Sequence, residues 1–157
     1  MPTDIALLAD LLQKSGKMLA TAESCTGGLI AATCTGVAGS SLWFERGFVT
    51  YSNEAKTEML GVPARLIAEH GAVSEAVVRA MALGAIAHSQ AGVAVAVTGV
   101  AGPGGGSALK PVGTVWFGFA VDGRCTSECL FFAGDRAAVR TETVAHALER
   151  LQILLSP

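Results

Sequence analysis

A single-domain α/β fold, with a mixed sheet between two helical layers, is predicted by three features of the sequence. Residues 92–98 form a nearly continuous Val/Ala run, as expected for a strand covered on both faces. Apolar residues recur at helical spacing on both sides of that run. Two strand-like stretches, VGTVWFGFAV and RCTSECLFFA, meet at Asp122-Gly123, a strong hairpin signal that adds an antiparallel pair to the sheet. At 157 residues the chain is of single-domain size and can bury a core without staples, so one α/β/α sandwich over residues 1–157 is expected.

The elements follow in chain order. Thr3 is a fitting N-cap for DIALLADLLQKSGK, whose apolar residues at 5, 8, 11 and 12 form one stripe and whose Ser-Gly-Lys ends the helix. Residues 18–22 read as a buried strand, and Thr26-Gly27-Gly28 opens a small-residue helix to about Thr35. The loop GVAGSS leads to FERGFVTYS, a strand by its β-branched and aromatic content. Asn53 is the expected N-cap of EAKTEMLG, Pro63 starts a further short helix, and Ser74-Glu75 caps a longer one to about Gln90. That last helix has an inner stripe of Val78, Met81, Ala82, Ala85 and Ile86. After the 92–98 strand, the loop GVAGPGGGSALKP and the hairpin, Asp135 caps a terminal helix to about Leu155. No repeat or low-complexity tract interrupts the series.

Composition removes several function classes. Hydrophobic residues make up 51% and charged residues 15% of the chain, against a usual charged share of about 25%, so disorder is excluded and a homodimer or larger homo-oligomer is expected. A net charge of −2 gives no basic field for nucleic acid or anionic membrane, so an anionic ligand must be held locally. The apolar stretch 91–100 is cut by glycine and is too short to span a bilayer. Without a secretory leader, the four cysteines point to a reducing, cytoplasmic location rather than a disulfide framework. Cys125 and Cys129 share a strand face but lie about 13 Å apart, too far for one metal ion. No HExxH or CxxC occurs, so neither a metal nor another cofactor is expected.

Two segments hold chemical candidates. TAESCTGG, residues 21–28, places Ser24 at a strand-to-helix junction, where it is either a nucleophile or a helix cap. Cys25 is the rival, because a thiol at a helix N-terminus can have a lowered pKa; its alternative is a small buried hydrophobe. GVAGPGGGS lacks the Gly-Lys-Ser/Thr ending of a Walker A loop, and Ser107 stands where GxGxxG requires glycine. It remains either a surface turn or a backbone nest for an anion. His70, His88 and His146 sit in no hydrolase or metal motif, and Lys56 alone would be read as exposed.

TAESCTGG, GSSLWFERGFVTYSNEAKTEMLGV, GAVSEAVV, AVTGVAGPGGGSALKPVGTVWFGFA and GDRAAVR together resemble the CinA C-terminal domain family, whose members include nicotinamide-nucleotide amidohydrolases. The blocks occur in the family's order from about Leu7 to Leu151. FAGDR departs from the usual FPGDR at Ala133, which removes a proline constraint but no chemical group. The resemblance implies deamidation of nicotinamide mononucleotide to nicotinic acid mononucleotide and ammonia, in pyridine nucleotide recycling. The family's serine falls on Ser24, its lysine on Lys56 and its tyrosine on Tyr51.

These assignments imply Ser-Lys catalysis, with Lys56 neutral by desolvation and Tyr51 orienting it or relaying its proton. The amides of Cys25, Thr26 and Gly27, beside Gly28, are the expected oxyanion donors. The substrate phosphate is assigned to the nest Gly102, Gly104, Gly105, Gly106 and Ser107, with Thr26, Arg46 or Arg136 helping; surface charge is the other reading of these. Glu23 is placed to position Ser24 or Lys56, although a carboxylate near Lys56 would oppose the base role. A non-catalytic nucleotide-binding or competence-related module, and an amidase for another small carboxamide, are the alternatives.

Overall fold

The computed structural model describes residues 4–157. Its elements are α1 (Ile5–Ser15), β1 (Leu19–Glu23), α2 (Leu29–Thr35), a 3-10 turn (Ser40–Leu42), β2 (Phe44–Val49), α3 (Asn53–Leu60), α4 (Ala64–His70), α5 (Glu75–Ala87), β3 (Val93–Gly99), β4 (Thr114–Val121), β5 (Arg124–Phe131) and α6 (Arg136–Leu155). The five strands form one sheet in the order β2-β1-β3-β4-β5. β1 runs parallel to β2 and β3, while β4 and β5 are antiparallel additions. This is the predicted mixed sheet. Asp122 and Gly123 both have positive φ, as a two-residue type I′ hairpin requires.

Two cores flank the sheet, and strand alternation divides them unequally. Leu19, Val93, Val95, Val97, Phe117 and Phe119 face α1, α2 and α6. Ala20, Ala22, Ala94, Ala96 and Ala120 face α3, α4 and α5. The Val/Ala run of β3 therefore presents branched side chains to one layer and methyl groups to the other. The methyl face lets α5 approach closely: a Cβ on Gly118 would lie 2.7 Å from the Val78 carbonyl oxygen. The cores of both layers are buried, and the three parallel strands aim their C-terminal ends at one edge.

Several boundaries differ from the sequence reading for local reasons. Thr3, the expected cap, lies outside the described residues; Asp4 Oδ1 accepts the Leu7 N–H at 3.0 Å. Ser52, not Asn53, caps α3, because its Oγ accepts the Ala55 N–H at 3.0 Å and Asn53 is already helical. α5 stops at Ala87 rather than Gln90, where the Ser89 hydroxyl turns back to donate to the Ala85 carbonyl. All four cysteines are free thiols. Among the described residues, no helix is long and apolar enough to cross a membrane.

The α3–α5 contact gives a test of this packing. Gly84→Ala gains about 1 kcal/mol of helix propensity, but the new Cβ would overlap the Leu60 carbonyl oxygen. Overpacking costs about 1–3 kcal/mol, and here the overlap is with backbone that cannot rotate away. Urea unfolding should give a lower midpoint for the variant; an equal or higher midpoint would show that α5 moves off α3 without penalty.

Candidate active site

Open α/β sheets place ligands at the carboxyl ends of their parallel strands, and here three chain exits converge there. Ser24 follows β1, residues 50–52 follow β2, and Gly99–Ala101 end β3. Between them is a cavity of about 230 Å³ lined by Ser24, Cys25, Tyr51, Lys56, Thr98 and Arg136, with Asn53, Ala72, Val73, Gly99 and Ala101 completing the wall. A larger groove between α3 and α4 is lined mainly by Glu54, Thr57, Glu58, Ala64 and Ile67 and holds no nucleophile.

Lys56 is the side chain on which the cavity is built. It lies in the first turn of α3, and helical side chains tilt toward the N-terminus, so it folds back over the residues that precede its own helix. Its Nζ is 3.1 Å from Ser24 Oγ, 3.0 Å from the Thr50 carbonyl oxygen and 3.1 Å from that of Tyr51. The side chain is 1% exposed. Burial pulls the ammonium below the ordinary lysine range, while Cys25 and Glu54 push the other way. The positive end of α3 adds to the pressure against a cation. A neutral amine has two N–H donors and one lone pair. The Thr50 and Tyr51 carbonyls can take the two donors and the Ser24 hydroxyl can face the lone pair, with the Ser52 carbonyl farther off at 3.5 Å.

Cys25 does not have the low-pKa environment its place near a helix start suggested. It is 5% exposed in the core beneath the loop. Burial, aided by Glu23, pushes its thiol up to about 12, and the opposing effects of its own amide, Arg140 and Lys56 do not offset that. It is the small buried hydrophobe of the two sequence readings.

Glu23 and Ser24 are neighbours whose side chains part company. The Glu23 carboxylate accepts from Thr26 Oγ1 at 2.5 Å and from the amides of Ile30 and Ala31 at 2.8 and 3.0 Å. It is engaged with α2, on the other side of the sheet from Lys56, which removes the expected conflict with a basic lysine. The turn after Ser24 is held by Gly27 and Gly28 at positive φ. The Gly27 amide closes that turn onto the Ser24 carbonyl at 3.1 Å, so it is unavailable to an oxyanion. No backbone acceptor is found for the Cys25 and Thr26 amides among the described residues.

The remaining predicted residues are only partly brought together. Tyr51 meets Lys56 through its carbonyl; its phenol oxygen, 62% of the residue being exposed, accepts from Arg136 Nη2 at 3.4 Å. Arg136 Nη1 also donates to the Gly102 carbonyl at 2.8 Å, so it bridges two walls of the cavity mouth. Gly104, Gly105, Gly106 and Ser107 are exposed and line no part of the cavity, because their loop folds on itself through Ser107 and Lys110. Arg46 is held elsewhere, by Glu45 and the His88 carbonyl. None of the three histidines lines the cavity.

Sequence reasoning missed Arg140 and Thr98. Arg140 donates to the carbonyls of Cys25 and Thr26, both at 3.2 Å, and so clamps the serine loop from α6. Its spacing of four from Arg136, one helical turn, was the available signal. Thr98 Oγ1 donates to the Ala72 carbonyl at 3.0 Å and ties the far wall to β3.

Known proteins share this chain's fold and much of its sequence. The CinA C-terminal domain model matches residues 4–155. The nicotinamide-nucleotide amidohydrolase PncC of Escherichia coli K12 is 56% identical over 143 residues, covering 89% of this chain and 86% of that protein. The PncC of Pseudomonas putida is 56% identical over 144 residues, covering 92% and 90%. The crystal structure of competence damage-inducible protein A from Klebsiella pneumoniae superposes with a TM-score of 0.93 at 42% identity, covering 96% of this chain and 94% of that one.

The depressed Lys56 pKa makes a stability prediction independent of substrate. A lysine whose folded value is lowered binds its proton more readily when unfolded, so this group destabilises the fold at neutral pH. That penalty fades as pH rises from the lowered value to the ordinary lysine value of about 10.4. The Tm of wild type relative to Lys56→Met should therefore rise across this window. A flat difference would show that Lys56 titrates as an ordinary lysine.

Proposed function

The chain belongs to the CinA C-terminal domain family, and from that premise we propose that it hydrolyses nicotinamide mononucleotide to nicotinic acid mononucleotide and ammonia through Ser24 and Lys56. The observation that carries this reading is the buried 3.1 Å contact between Lys56 Nζ and Ser24 Oγ. Neutral Lys56 takes the serine proton as Oγ attacks the carboxamide carbon. The oxygen of the tetrahedral intermediate lies against the amides of Cys25 and Thr26, donors commonly worth about 3 kcal/mol each. The lysine then protonates the leaving nitrogen, ammonia departs, and water, deprotonated by the same lysine, hydrolyses the acyl-serine. Tyr51 and Thr50 steady the base through their carbonyls. No cofactor enters any step.

The 230 Å³ cavity suits the pyridine carboxamide. An adjoining cavity lined by Ala101, Pro103, Val112 and residues 134–137 shares Ala101 and Arg136 with it. The ribose phosphate reaches across Arg136 into that space, with the Gly102 end of the glycine loop beside it. In this reading the enzyme works in the cytoplasm, as a homodimer or larger homo-oligomer, and returns pyridine nucleotide to recycling.

Ammonia release from equal concentrations of nicotinamide mononucleotide, its riboside and free nicotinamide, with EDTA present, tests the assignment. The mononucleotide should turn over far faster, because binding energy from the remote phosphate positions the carboxamide. Ser24→Ala and Lys56→Arg should be inactive yet folded, since a guanidinium stays protonated. Equal rates on all three substrates would remove the phosphate from the reading. A folded protein that releases no ammonia from any of them would favour a binding module.

A further inference from the structure

We propose that Glu23 is the positioning residue for Ser24, acting through Thr26 and the first turn of α2 and not through Lys56; the inference rests on the amidase reading above. Glu23 is fully buried, and among the described residues it has no cationic partner. A charge in that situation is tolerated only when its hydrogen bonds are complete. Three donors complete them: Thr26 Oγ1, Ile30 N and Ala31 N.

The carboxylate lies on the near side of the loop that carries the nucleophile and its three donors on the far side. The Ser24–Cys25 segment runs between Glu23 and Thr26, and one carboxylate ties those two residues together. The backbone holds the near end as well, since the Glu23 carbonyl accepts the Thr50 N–H at 2.9 Å and the Ser24 N–H donates to Val97 at 3.1 Å. At the far end Arg140 holds the Cys25 and Thr26 carbonyls from outside, and Glu23 alone ties the loop to the start of α2. α2 has seven residues, begins at Leu29 and has no side-chain cap from Gly28 before it, and a helix so short does not persist unaided. Its first free amides are satisfied from seven and eight positions upstream by Glu23. Without the carboxylate the turn Ser24–Gly28 keeps the Arg140 clamp but loses its tie to α2, and Ser24 Oγ loses its fixed place against Lys56.

Strand alternation makes this a mechanical rather than an electrostatic role. Glu23 faces α2, and Lys56 approaches from the α3 side, where the groups facing its amine are Ser24 Oγ and the carbonyls of residues 50–52. Charged or titratable neighbours of the lysine are Cys25 and Glu54. Glu23 is not among them.

The test uses the full chain with Glu23→Gln, Thr26→Val and Thr26→Ser. It measures kcat, KM and the pH–rate profile on nicotinamide mononucleotide, and the rate at which a fluorophosphonate labels Ser24. Misplacing a reacting group by about 1 Å can lower the rate roughly 100-fold. Glu23→Gln and Thr26→Val should therefore lose roughly 10- to 100-fold in kcat and in labelling rate together, with KM little changed and the acid limb of the profile unmoved. Thr26→Ser, which keeps the hydroxyl, should recover most of what Thr26→Val loses. If Glu23→Gln fails to fold, the Thr26 pair decides. Wild-type kcat in Thr26→Val, or an acid limb displaced in Glu23→Gln with labelling intact, would overturn the proposal. A wild-type protein that labels at Ser24 but releases no ammonia refutes the substrate instead, and the labelling rates still decide the role of Glu23. No labelling of wild-type Ser24 refutes both.

Discussion

Holding a lysine amine out of water and against a serine hydroxyl is the constraint on which the rest of the structure depends. An ammonium in an apolar surround costs several kcal/mol, and a neutral amine still needs partners for its N–H groups. The chain meets this demand with backbone. β2 ends, the next residues turn their carbonyls inward, and α3 starts one residue later at the Ser52 cap. Lys56 then reaches back to the carbonyls just ahead of its own helix. The same Thr50 whose carbonyl receives the lysine gives its N–H to Glu23, next to Ser24. Strand pairing and the distance from base to hydroxyl are thereby parts of one hydrogen-bonded circuit. A slip of β2 by one residue would reverse the faces of its side chains and break that circuit.

The division of the sheet into a branched face and a methyl face decides where the cavity can be. On the Ala face α5 lies close enough that Gly118 and Gly84 leave no room for a Cβ. α3 is drawn in with it through Leu60, and Lys56 comes to the sheet edge as a consequence. On the other face, larger Val and Phe side chains keep α6 farther out, and Arg136 and Arg140 use their length to return to the strand ends. Long cations serve the thick layer and a buried lysine the thin one.

The parts legible in the sequence were those set by local physics. Periodicity marked the helices and the double-covered strand, Asp122-Gly123 marked the hairpin, and Ser74 and Asp135 marked caps that the side chains do make. The TAESCTGG block gave the right chain exit for Ser24. Less legible were features decided by distant partners. Arg140 touches residues 114 and 115 positions away, a relation no periodicity expresses. Tyr51 invited a role for its phenol, whereas its peptide carbonyl meets the lysine. Glycine content suggested a continuous anion nest at 102–107, but the loop's own Ser107–Lys110 turn carries most of it away from the cavity. The reactivity of Cys25 depended on depth in the core, which its position before a helix did not reveal.

The carbonyl partners of Lys56 have a further consequence for how the sequence can drift. Every amino acid brings the same peptide oxygen, so replacements at positions 50 and 51 that preserve the backbone path leave the lysine its acceptors. A replacement of Tyr51 alters the cavity rim while the base keeps its surroundings. The site thus separates two kinds of inheritance: the acid–base apparatus is written mostly in chain geometry, and the rim that meets a ligand is written in side chains. Related chains can diverge in what they admit without first rebuilding how the lysine is held.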